Sequence, residues 1–186
     1  MPRYEDEEPK EEHWEEEEET EASFDEDAVE DDDEESEEEA EETTTDEVLE
    51  EIAALVEESE EFCDRGEFRK AVRLWRKHID RFSDEPVVYF YLAHATFRLL
   101  CEEVLSGGEW DSSAEATVLH EEILATLDEA LAMDDEYVEA LNLLGAAHML
   151  RGEHAEAVKA WEASLALDED QPDVETDLEE ARGYLD

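Results

Sequence analysis

Residues 66–75, GEFRKAVRLW, decide how this chain is read, because residues 152–161, GEHAEAVKAW, repeat them. Six residues recur at one common shift: Leu55 with Leu141, Gly66 with Gly152, Glu67 with Glu153, Ala71 with Ala157, Val72 with Val158, and Trp75 with Trp161. A copied Gly ahead of a copied Ala-Val-x-x-Trp predicts a turn that opens an amphipathic helix. The small Ala admits a close neighbour and the Trp fills the space beyond it.

In the second copy, Leu141-x2-Leu144-Gly145-x2-His148 followed by Ala157-x3-Trp161 resembles the 34-residue tetratricopeptide repeat, with Leu for the usual first Trp and His for the usual Tyr. Phasing the chain on that copy places three repeats at about 52–85, 86–137 and 138–171, followed by a capping helix at 172–185. The middle repeat has Tyr89-x2-Leu92-Ala93 in its first helix and Ile123-x3-Leu127-x2-Ala130 in its second, with an insertion near 101–118. The first repeat departs from the pattern, with Glu58-Ser59 where Leu-Gly is expected, and the Pro that commonly closes each repeat is absent. The resemblance implies an all-α fold, a tetratricopeptide-type solenoid of helical hairpins with about seven helices. It implies a binding module without naming what is bound, because the scaffold serves many functions.

Charge divides the chain in two. The 186 residues hold 64 acids against 13 bases, a net charge of −51. Residues 1–45 contribute 26 of those acids and only Arg3 and Lys10, leaving a net −27 on residues 46–186. A segment so charged and so poor in apolar residues cannot bury enough surface to offset roughly 1–2 kcal/mol of backbone entropy per residue, so the tail 1–45 is expected to be disordered. Tyr4, Trp14 and Phe24 fall ten residues apart within it. Rings amid carboxylates suit docking on a basic, partly apolar protein surface; the plainer reading is chance spacing in a solvated tail.

Order is expected to begin at the capping box Thr44-Thr45-Asp46-Glu47. Val48, Leu49, Ile52, Leu55, Val56 and Phe62 then trace one face of a helix. Its partner turns Phe68, Ala71, Val72, Trp75, His78 and Ile79 inward. That second helix also concentrates Arg65, Arg69, Lys70, Arg73, Arg76, Lys77 and Arg81. The strip reads either as a receiver for an acidic partner, or for the chain's own tail, or as a solvated face that relieves repulsion between neighbouring acids. The insertion is expected to lengthen both helices of the middle repeat, break at Ser106-Gly107-Gly108, and carry Trp110 near the tip, either as a partner anchor or packed back on Leu105 and Val118. The last helix sets Val174, Leu178, Ala181 and Leu185 on one side, a polar cap on the stack.

The resemblance also implies a groove lined by the first helix of each repeat: Val56 and Glu60, then Phe90, Tyr91, His94 and Arg98, then Asn142, Ala146 and Met149. Such a groove would take apolar side chains of an extended or helical peptide while Asn142 and Arg98 hold its polar groups; the alternative is that these residues are ordinary core. Relatives that grip the C-terminal carboxylates of heat-shock chaperones need Lys, Asn and Arg at set positions. Here those positions read Val56, Glu60, Tyr91, Glu139 and Leu143, which would repel a carboxylate.

No HExxH, GxxxxGK[ST] or GxSxG pattern occurs, so no metal, cofactor or catalytic site is expected. Cys63 and Cys101 are expected as free thiols on separate helices. With no apolar run near 18 residues and no basic, apolar start, the chain is expected in the cytoplasm. The leading expectation is a non-enzymatic adaptor or chaperone-like protein, with a protein partner, basic ones among the candidates, in the groove and an acidic tail that attracts or shields basic regions. Direct nucleic-acid or membrane binding is not expected. The alternatives are a salt-adapted scaffold whose tail only solvates, and an acidic decoy that mimics nucleic acid.

Overall fold

The computed structural model describes residues 45–105 and 113–185. All but the last residue of the acidic tail, the candidate cap Thr44, and the segment bearing Ser106, Gly107, Gly108 and Trp110 lie outside the described residues. Among the described residues there are seven α-helices: α1 (Thr45–Asp64), α2 (Phe68–His78), α3 (Pro86–Leu99), α4 (Ala114–Met133), α5 (Val138–Arg151), α6 (His154–Leu167) and α7 (Pro172–Gly183). None is long and apolar enough to cross a membrane. The chain has the tetratricopeptide-type helical fold, in which α1/α2, α3/α4 and α5/α6 form hairpins, each hairpin stacks on the next, and α7 packs on α6.

The copied segment builds the same turn twice. Gly66 and Gly152 both take left-handed backbone, φ +71° and +79°, the conformation that lets a helix end and the chain reverse. Glu67 N–H then donates to Phe62 C=O at 2.8 Å, and Glu153 N–H donates to His148 C=O at 2.9 Å. Pro86 and Pro172 sit in the first turns of α3 and α7, where a missing N–H costs nothing. Ser113 caps α4 by accepting from Ala116 N–H at 3.1 Å.

The insertion enters the first helix of the middle hairpin as a change of helical pitch. α3 runs into a π-helical turn, Leu100–Val104, closed by Leu105 N–H donating to Leu100 C=O at 2.9 Å. The wider turn absorbs an extra residue and keeps both Leu100 and Leu105 in the core.

One core cluster runs from Ile52 to Ala147 and contains the fully buried Trp75, Leu100, Ile123 and Leu127. A second joins Ala157 and Trp161 to Leu178 and Ala181 of α7. Two apolar stripes differ from expectation. On α1 the inward row is Ile52, Leu55, Ser59 and Cys63, at helical spacing, while Leu49 is 50% exposed. On α7 only Leu178 and Ala181 are buried, and Leu185 lies past the helix end at 53% exposure. Val48, Val56 and Phe62 still pack on the first cluster and Val174 on the second, so Leu49 and Leu185 are the members of the two expected rows that face outward. At α6, Trp161 lies so close over α5 that a Cβ on Gly145 would sit 2.4 Å from its indole nitrogen.

Candidate functional site: a groove along the first helices

Helices α1, α3, α5 and α7 are the first members of successive units, so side chains at equivalent positions stand beside one another. One row runs Glu60, His94, Ala146, Glu180, and the next Cys63, Phe97, Met149, Gly183. Two recesses open along this row. The first, about 240 Å³, lies between α1 and α3 and is lined by Ser59, Glu60, Cys63, Asp64, Tyr91, His94 and Arg98. The second, about 260 Å³, is lined by Phe97, Ala146, Met149, Leu150, Trp161, Asp177 and Glu180.

The two recesses are internal copies. The shift that carries Trp75 onto Trp161 also carries Glu60 onto Ala146, Cys63 onto Met149, Asp64 onto Leu150, Tyr91 onto Asp177 and His94 onto Glu180. Their chemistry is exchanged. In the first, the earlier helix supplies carboxylates and the later one Tyr91, His94 and Arg98. In the second, the earlier helix is apolar and the later one supplies the carboxylates.

Burial shapes the titrating groups of the first recess. Desolvation holds His94 below the ordinary imidazole value, helped by the Arg98 guanidinium and opposed by Glu60. Desolvation also raises the Cys63 thiol, against the pull of Arg98. In the second recess, Asp177 is raised, first by desolvation and then by Glu180 and Asp173.

The groove residues read from the sequence divide between these places. Glu60, Tyr91, His94 and Arg98 meet in the first recess, and Ala146 and Met149 in the second. Tyr91 stacks on Trp75 at 5.4 Å, and Phe90 joins His94 and Tyr137 in one aromatic cluster. Arg98 also lies over the Phe68 ring at 5.2 Å. Val56 packs on the core. Asn142 is engaged within the fold, since its amide N–H donates to Gln171 Oε1 at 2.6 Å and its Oδ1 accepts from Ser164 at 2.6 Å.

Along the basic strip, most cations face carboxylates of the same chain. Arg76 grips Glu122 at 2.9 Å through Nε, Arg69 meets Glu115 at 3.1 Å, and Arg81 meets Glu51 at 2.5 Å. Arg65 and Lys70 share Glu67. Trp110 lies outside the described residues. Cys63 and Cys101 are free thiols, and burial pushes Cys101 up to about 11.

Sequence reasoning missed Ser59, Cys63 and Asp64 in the first recess and Phe97, Leu150, Trp161, Asp177 and Glu180 in the second. A signal existed for two of them. The 34-residue period carries Leu143 and Ala146 onto Asp177 and Glu180, which marks α7 as a further first helix and not only a cap.

No family model and no curated protein matches this chain. Solved structures do. The first tetratricopeptide domain of RPAP3 (Spaghetti), bound to the HSP90 peptide SRMEEVD, is 21% identical with a TM-score of 0.58 over 72% of this chain and 91% of its own. The Arabidopsis OM64 domain is 16% identical, with a TM-score of 0.58 over 72% of this chain and 96% of its own. TTC0263, a tetratricopeptide protein of Thermus thermophilus, is 20% identical with a TM-score of 0.60 over 71% of this chain and 64% of its own. At these identities the likeness is one of fold.

Proposed function

We propose that this tetratricopeptide-type array is a non-enzymatic protein-interaction module that holds a partner's polypeptide segment along its first helices. The observation that carries the reading is the pair of recesses repeated along one face. Each has room for a long side chain, and successive side chains of one bound segment would enter them. Similar folds solved with HSP90 and HSP70 peptides support a peptide ligand. An anionic chain end is not the ligand proposed, because Val56, Glu60, Tyr91, Glu139 and Leu143 supply no cation and Glu60 and Asp64 flank Arg98.

A net charge of −51 makes basic partners the favoured ones. It raises their encounter rate and stops them binding nucleic acid prematurely. The acidic tail adds to this attraction. The full chain and residues 46–186 would then bind the same partner, with the full chain losing more affinity as salt rises.

Photocrosslinking tests the site. A photoreactive residue is placed at Tyr91, or at Lys159 on the exposed side of α6 as a reference. Crosslinks to a polypeptide from Tyr91 but not from Lys159 agree with the reading. Equal yields from both positions would remove the groove as the binding site.

A further inference from the structure

The second recess has a floor and a rim of opposite character. Phe97, Met149, Leu150 and Trp161 make its apolar walls, and Asp177 and Glu180 stand side by side at its edge, one turn apart on α7. Among the described residues no cation pairs with either carboxylate. The neighbouring bases are committed elsewhere: Arg182 binds Glu162 at 2.8 Å, and Arg151 lies 3.4 Å from Glu153. Glu180 accepts from the Tyr184 hydroxyl at 3.5 Å.

This arrangement selects among ligands. An acidic side chain would meet two like charges. A purely apolar one would fill the floor but strip water from the carboxylates without replacing it. A long side chain with an aliphatic stem and a cationic head satisfies both parts, the stem lying on Met149 and Trp161 and the head reaching the rim. The field of the whole chain points the same way.

We infer that the recess between α5 and α7 seats a lysine or arginine side chain of the partner segment, so that the bound segment is cationic and anchored at this point. The inference rests on the groove reading above and gives it a chemistry. The first recess, with Tyr91, His94 and Arg98 beside Glu60 and Asp64, takes a polar side chain further along the same segment.

The test is an array of immobilised dodecapeptides of random sequence in which one position is fixed as lysine, arginine, norleucine or glutamate. Norleucine has the lysine stem without its charge. The full chain is compared with Asp177→Asn/Glu180→Gln and with Glu175→Gln/Glu179→Gln, which removes the same charge from the opposite face of α7. Wild type should prefer lysine or arginine over norleucine by about tenfold, the size of one close charge contact. Asp177→Asn/Glu180→Gln should abolish that preference, and Glu175→Gln/Glu179→Gln should retain it. Equal losses in both variants would overturn the inference, because the general field would then account for the selectivity. Peptides retained without a cationic preference, yet lost on Tyr91→Ala, would overturn the cationic anchor and leave the groove standing. Failure to retain any peptide would overturn both.

Discussion

Trp75 donates its indole N–H to Ser59 Oγ at 2.8 Å inside the first hairpin, with both side chains almost fully buried. The equivalent ring, Trp161, covers Gly145 and donates instead to the Asn142 carbonyl at 3.2 Å. The repeat thus places the same ring in two hairpins and satisfies it in two ways. Ser59→Ala removes a partner that no other group replaces. A buried donor left unmade costs about 1–3 kcal/mol, so the thermal midpoint should fall by several degrees with the helical spectrum intact. An unchanged midpoint would show that water reaches the indole.

Gly145→Ala tests the other solution. The added methyl would lie 2.4–2.6 Å from three atoms of the Trp161 ring, which is held by α7 and cannot swing away cheaply. Overpacking of this kind costs about 1–3 kcal/mol, and here it should also loosen the second recess, since Trp161 lines it. The readouts are thermal midpoint and binding of the lysine-anchored peptide, and both should drop.

His120 ties α4 to α5. It is fully buried, Nε2 lies 3.0 Å from the Ala147 carbonyl, and Arg151 approaches Nδ1 at 3.4 Å. Burial holds its folded value below that of the free imidazole, with the Ala147 contact opposing the shift. A depressed folded value means the unfolded chain takes the proton more readily. The stability carried by neutral His120 is therefore present above the unfolded value, near 6.5, and is lost as pH falls through it. Between about pH 7.5 and pH 5, wild type should lose stability relative to His120→Gln, which keeps a donor for Ala147 and does not titrate. Parallel profiles would mean that His120 takes up its proton at the same pH in both states, so that burial does not depress its folded value.

The body should respond to salt. Its ion pairs are mostly half-exposed, as with Arg69–Glu115 at 52% and 56%, and such pairs contribute at most about 1 kcal/mol each. Repulsion among the unpaired carboxylates opposes them over a Debye length of about 30 Å at 0.01 M salt. Screening should therefore raise the thermal midpoint of residues 46–186 between about 0.01 M and 1 M salt. A falling midpoint would make the ion pairs the larger effect.

What the sequence revealed follows from what repeats. The fold was legible because Gly66 and Gly152 fix identical turns and because Ala71-Val72-x-x-Trp75 recurs as Ala157-Val158-x-x-Trp161, both of which are local signals. Ser59 could not be recognised as a hydrogen-bond partner, because at its position the pattern only says that Gly is missing. Asn142 was read as a ligand-binding amide, yet its bonds to Gln171 and Ser164 depend on how α7 enters the stack. The recesses form between helices 34 or more residues apart, so their chemistry appears only when α1 is set beside α3 and α5 beside α7. The π-helical turn at Leu100–Val104 left no mark in the pattern, since a register change of one residue looks like an ordinary insertion.

Amide hydrogen exchange of the full chain, with and without its crosslinked partner, tests the central claim most directly. Binding along the first helices predicts slowed exchange at the exposed turns of α1, α3, α5 and α7, strongest around Met149 and Asp177, with α2, α4 and α6 unchanged. Protection confined to α2, where Arg69, Arg73 and Arg76 lie, and to α4 would contradict it and move the binding surface to the opposite side of the hairpins.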